Sequence, residues 1–183
     1  MVFRLNKTVV MVGMMGAGKT AIGQALARKL QVPFLDSDAE IVEAANASIA
    51  EIFERYGEAF FREKEAQVIA RLLAGPPGVL STGGGAFLSA DNREMISKAG
   101  VSVWLKADLD LLWARVKHKD TRPLLRTGDP RATLAEIFRV RTPLYAQADM
   151  VVAAEPGLSI PQMTDRVIAA LSARPDVLAL ETT

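Results

Sequence analysis

Eight residues near the start constrain this chain more than anything else in it. Gly13-Met14-Met15-Gly16-Ala17-Gly18-Lys19-Thr20 fits the pattern G-x-x-x-x-G-K-[ST] without a gap. The β-branched and apolar run Thr8-Val9-Val10-Met11-Val12 precedes it and reads as a buried strand. Ile22, Ala25, Leu26 and Leu30 follow it at helical spacing. Strand, glycine loop and helix are the context this motif needs in order to cradle phosphates. Glycines let the backbone curl into a nest of inward N–H groups, and the helix N-terminus adds positive potential there. Lys19 would bring a point charge to the β- and γ-phosphates, and the Thr20 hydroxyl can ligate Mg²⁺ directly.

Around this loop, short buried-type strands alternate with helices. Strands are expected at 32–35, 79–82, 101–105 and 150–153, in addition to 8–12. Such alternation predicts an α/β fold, a five-stranded parallel sheet covered by helices on both faces in three layers. Ser48-Ile49-Ala50-Glu51, Thr133-Leu134-Ala135-Glu136 and Ser159-Ile160-Pro161-Gln162 read as capping boxes that open helices. The second of these helices is expected to end at Arg141, before Pro143. Residues 38–75 hold helices but no strand and read as a helical insertion beside the sheet. Residues 117–131 are polar, with Pro123, Gly128 and Pro130, and read as a mobile lid loop. Residues 174–183 read as a flexible tail. The 183 residues make one domain, with no repeat and no linker.

Composition narrows the function. Lys and Arg number 22 against 21 for Asp and Glu, so nucleic acid has no electrostatic case as a partner. No cysteine is present, which excludes disulfides and thiolate metal sites and points to a reducing compartment. No apolar run approaches the roughly 20 residues needed to span a bilayer. Met1–Lys7 leads straight into the first strand and does not read as a signal peptide. A soluble cytoplasmic protein without a membrane partner is expected.

Two further stretches carry candidate chemistry. Asp36 and Asp38 stand two apart at the end of a strand, where both side chains can face the ligand crevice of an open sheet. One could serve magnesium and the other accept bonds from substrate hydroxyls; the plainer alternative is that Asp38 caps a helix. Gly83-Gly84-Gly85 follows another strand and would let a ligand approach the backbone closely. Arg62, Arg122 and Arg141, taken singly, read as solvated surface arginines.

Taken together these stretches resemble shikimate kinase. The resemblance rests on Gly13 to Thr20, Asp36-Ser37-Asp38, Ser48 to Phe53, Gly57-Glu58-Ala59-Phe60-Phe61-Arg62, Gly83 to Gly85, Thr121-Arg122-Pro123-Leu124-Leu125 and Arg141-Thr142-Pro143-Leu144-Tyr145. These run in the family's order and spacing from about Val9 to Leu171. The resemblance implies a P-loop kinase fold and transfer of the ATP γ-phosphoryl group to the 3-hydroxyl of shikimate, on the way to chorismate and the aromatic amino acids. It implies ATP and shikimate as partners and Mg²⁺ as cofactor; a monomer is expected. It implies that Asp38 holds the shikimate hydroxyls, that Arg62 and Arg141 bind the carboxylate, and that Gly83, Gly84 and Gly85 line the same pocket. Residues 13–20 would take the phosphates, Arg115 would lie against adenine, and Arg122 would reach the phosphates from the lid. Lys19, Asp38 and Arg122 are thus the expected catalytic residues, with Asp36 serving magnesium through water. One departure from the family pattern is Ala21, where many members carry a hydroxyl residue after Thr20. A gluconate-type or nucleoside kinase would share the phosphate loop but not the set Arg62, Gly83–Gly85 and Arg141. A GTPase-type switch would need an N-K-x-D element, which the chain lacks. A binding module without activity is disfavoured by the intact Lys19, Thr20, Asp36 and Asp38.

Overall fold

The computed structural model of the chain describes residues 2–118 and 125–181. Its centre is β2 (Thr8–Val12), every residue of which is buried. A strand covered on both faces needs a continuous apolar run, and Thr8-Val9-Val10-Met11-Val12 supplies one. Around it stand β3 (Phe34–Asp36), β4 (Val79–Ser81), β5 (Gly100–Lys106) and β6 (Met150–Ala153) in the order β3-β4-β2-β5-β6, all parallel. Helices α1 (Lys19–Leu30), α4 (Ala90–Ala99), α5 (Leu109–Val116), α6 (Pro130–Tyr145) and α7 (Ile160–Ser172) flank the sheet. The order reverses at β2: from there the chain runs outward to β3, returns to β4, then crosses to β5. The C-terminal end of β2 therefore opens onto the crevice where ligands bind in sheets of this kind.

Between β3 and β4 lie α2 (Ser37–Ala45) and α3 (Ile49–Ala74). These helices have their own small core of Ile41, Ile52, Phe61 and Val68. Ser48 caps α3, its side chain accepting from Glu51 N at 3.1 Å. Gly57 interrupts α3 with φ 83°, ψ 173°, a conformation open to glycine, and kinks it ahead of Arg62.

Three sequence expectations are corrected. The tail forms a strand: β7 (Leu178–Glu181) pairs antiparallel with β1 (Val2–Leu5), and Val177 and Leu178 are buried. The pairing satisfies backbone groups of both short ends at once, which neither end signals alone. Helix α6 starts before Thr133, at Pro130, because the Asp129 side chain accepts from Ala132 N at 3.1 Å and proline suits the first turn. The same helix runs through Pro143 to Tyr145. Proline removes one backbone bond in the last turn, and burial of Tyr145 holds that turn in place. Of the expected lid, 119–124 lie outside the described residues; Leu125 is buried and Pro130 and Arg131 are already helical.

Candidate active site

The phosphate loop has the form its sequence requires. Gly16 (φ 83°) and Gly18 (φ 97°) are left-handed, and a Cβ on Gly16 would come within 2.8 Å of Val116 Cγ1. Gly13, Met14, Met15 and Ala17 are buried beneath it, while Gly18 and Lys19 are half-buried and Thr20 is exposed. Lys19 Nζ donates to Gly13 O at 2.5 Å and to Met14 O at 3.4 Å. Arg115, from the last turn of α5, donates from Nη1 to Gly16 O at 2.9 Å. Beside it opens a cleft of about 470 Å³, lined by the loop, Arg115, Leu158, Ile160 and Met163. The three apolar residues of that wall have no signal in the sequence beyond their place at the start of α7.

The two aspartates divide their work. Asp36 closes β3 and caps α2, its carboxylate accepting from Ala39 N at 3.1 Å. The cap is therefore Asp36, and Asp38 lies free of that duty in the first turn of the helix. The α2 helix begins at Ser37, so its first turn, not a strand's alternation, sets where Asp38 stands. Asp38 Oδ1 is buried and accepts no hydrogen bond from the described residues. Burial pushes the Asp38 carboxyl above its usual range, and the Asp36 charge adds to this; Lys19 and Arg62 pull the other way.

Sheet register brings this acid to the glycine triplet. Asp36 pairs with Ser81 across β3 and β4, so two residues onward Asp38 meets Gly83. A Cβ on Gly83 would sit 2.9 Å from Asp38 Oδ1. On Gly84 it would sit 2.7 Å from Arg141 Nη1, and on Gly85 2.6 Å from Arg62 Nη1 and 2.7 Å from Arg62 Cζ. Each glycine thus makes room for a different charged side chain, one from α2, one from α6 and one from α3. A turn needs no such triplet; three converging side chains do.

Two residues that sequence reasoning did not assign to the site hold this cluster in place. Glu65, one turn after Arg62, is almost fully buried, and its Oε1 accepts from Arg62 Nη1 at 3.0 Å. Burial raises its carboxyl above the usual range, against the opposing pull of Arg62. The signal was the i,i+3 spacing of Arg62 and Glu65, indistinguishable in sequence from a surface pair. Tyr145, one turn after Arg141, is buried and donates its hydroxyl to Gly84 O at 2.7 Å. Of the arginines expected in the site, Arg62 and Arg141 meet at the triplet, and Arg122 lies outside the described residues.

Residues 15–172 match the family model described as shikimate kinase. A shikimate kinase of Ruegeria pomeroyi is 70% identical over 96% of this chain and 90% of its own length. The chain belongs to the shikimate kinase family. Another shikimate kinase, from Cereibacter sphaeroides, is 67% identical over 96% of this chain and 87% of its own. The solved structure of shikimate kinase from Acinetobacter baumannii in complex with shikimate superposes with a TM-score of 0.83, at 36% identity, over 92% of this chain and 94% of that one. The fold is accordingly that of P-loop kinases, and the chain is a kinase that phosphorylates shikimate with ATP in aromatic amino acid biosynthesis. The gluconate-type and nucleoside-kinase alternatives fall with that assignment. No helix among the described residues is long and apolar enough to cross a membrane.

Proposed function

We propose that the transfer to the 3-hydroxyl of shikimate is run by the side chains gathered at the C-terminal ends of β2, β3 and β4. The observation that carries this reading is the convergence of Asp38, Arg141 and Arg62 on Gly83, Gly84 and Gly85. Shikimate has one carboxylate and three hydroxyls. Two planar guanidinium forks suit the carboxylate. A carboxylate raised above its usual range suits a hydroxyl proton, since it orients the nucleophile and can take the proton late in the transfer. Lys19 leaves its two backbone carbonyls for the β- and γ-phosphates, where its charge stabilises the transferring group. Arg115 lines the cleft beside the phosphate loop, suited to stacking on adenine. By the family resemblance Arg122 serves the phosphates, where a cation stabilises the transferring group.

Mg²⁺ fits the residues present. Among the described residues no cluster of three or more His, Cys, Asp or Glu exists to cage a metal. Magnesium needs no such cage, because it keeps several waters and takes oxygen ligands from phosphates. Thr20 would supply a direct hydroxyl ligand and Asp36 a carboxylate acting through water. Bound there, the ion would neutralise charge on the phosphate oxygens. The enzyme acts as a cytoplasmic monomer on two small substrates, without membrane partners, and the near balance of 22 basic and 21 acidic residues gives nucleic acid no electrostatic hold.

The experiment is steady-state ADP release with shikimate and ATP varied separately. Arg62→Lys and Arg141→Lys keep the charge but lose the fork. Each should raise the shikimate KM by roughly tenfold or more and leave the ATP KM near that of the parent. Equal effects on both substrates would remove the two arginines from the shikimate pocket.

A further inference from the structure

We infer that the Tyr145 hydroxyl is a positioning group for shikimate binding: it locks the glycine triplet to α6, the helix that carries Arg141. The inference rests on the assignment of the triplet and Arg141 to shikimate.

The geometry starts with a ring that cannot swing. Tyr145 is 1% exposed, and its ring lies 6.4 Å from that of Phe87 and 6.1 Å from that of Trp104. From this fixed place Oη donates to Gly84 O at 2.7 Å. The Gly84–Gly85 peptide is planar and trans, so drawing its carbonyl toward Tyr145 turns its N–H, that of Gly85, the opposite way. Glycine peptides resist rotation weakly. A single strong acceptor bond therefore decides which way this unit faces. Among the described residues the N–H groups of Gly84 and Gly85 reach no backbone acceptor. That of Gly85 lies in the peptide that Tyr145 holds and is left for a ligand as long as the peptide keeps its orientation.

The same hydroxyl links two parts of the site that the chain separates by 57 positions, Gly84 and Arg141. Arg141 and Tyr145 stand four apart on α6 and so share a face. A Cβ on Gly84 would be 2.7 Å from Arg141 Nη1 and 3.9 Å from Tyr145 Oη. Both side chains end at one glycine. The arginine fork and the triplet backbone are thereby held at a constant separation, as binding a rigid carboxylate requires.

Tyr145→Phe deletes one oxygen and keeps the ring packing. Melting temperature, both KM values and kcat are measured for Tyr145→Phe, Arg141→Lys and the double variant. For Tyr145→Phe we expect a shikimate KM raised roughly three- to tenfold, an ATP KM within about twofold of the parent and a melting temperature lowered by no more than about 2–4 °C. The double variant should lose less than the product of the two single losses, because both residues act on one subsite. An unchanged shikimate KM in Tyr145→Phe, with Arg141→Lys impaired, overturns the inference alone. Losses that multiply overturn the shared action. Parallel changes in both KM values mark a merely structural tyrosine and overturn it too. An unimpaired Arg141→Lys removes the carboxylate reading on which the inference rests.

Discussion

Gly85→Ala tests the steric logic of the triplet with one methyl group. The new Cβ would stand 2.6 Å from Arg62 Nη1 and 2.7 Å from its Cζ. Carbon and nitrogen pack at about 3.5 Å or more, so the guanidinium must retreat by close to 1 Å. Arg62 is a flexible side chain and can retreat, so the fold should survive. It is also tied to Glu65 Oε1 at 3.0 Å, which opposes the movement and keeps the displaced fork near the site but misaligned. A misplacement of about 1 Å at a positioning group costs on the order of 10²-fold in catalytic efficiency. The assay is coupled ADP release with initial rates fitted over shikimate and ATP. We expect kcat/KM for shikimate to fall roughly 10- to 100-fold, mostly through KM, with the ATP KM within about twofold. Gly75→Ala is the control: its Cβ would meet only Leu72 O, at 3.4 Å, and both KM values should stay put. A Gly85→Ala enzyme of normal melting temperature and normal shikimate KM would refute the reasoning, because Arg62 would then have moved without consequence.

Asp38→Asn removes the buried charge while Asp36 keeps the α2 cap, so we expect turnover to drop by two orders of magnitude or more, about the scale of lost general-base catalysis, with nucleotide binding and melting temperature retained. A fall in melting temperature with activity intact would return Asp38 to a structural role. Glu65→Gln tests the buried partner of Arg62 through pH. The folded-state pKa of Glu65 is raised above 4.5, so its stabilising contribution is present below the usual glutamate range and is lost as pH rises through the folded value. Glutamine does not titrate. The melting temperature of Glu65→Gln relative to the parent should therefore increase from acid toward neutral pH, while the shikimate KM rises as Arg62 loses its ionic tether. A relative melting temperature that falls over the same range would show that Arg62 outweighs the desolvation of Glu65.

How much was legible in advance depended on distance along the chain. The phosphate loop and the caps at Ser48 and Ser159 are written in residues that lie within a turn of one another, and they stand where the sequence places them. The five parallel strands were legible for a related reason: a buried parallel strand needs a continuous apolar run, and each such run is local. The end of α6 was misread because a proline rule is also local, and packing of Tyr145 overrode it.

The sequence by itself determined the five strands of the main sheet, that they run parallel and, through the order and spacing of the residues that resemble shikimate kinase, the chemistry. It could not say why three glycines stand in a row, because the reason is the arrival of Asp38, Arg141 and Arg62 from three different helices. Nor could it distinguish Glu65 from any exposed glutamate one turn beyond an arginine, or pair β1 with β7 across the length of the chain. Tertiary structure decided these because each depends on register between neighbouring strands and on helices packing at the sheet's end. Such contacts join residues far apart in sequence, and short-range periodicity carries no trace of them.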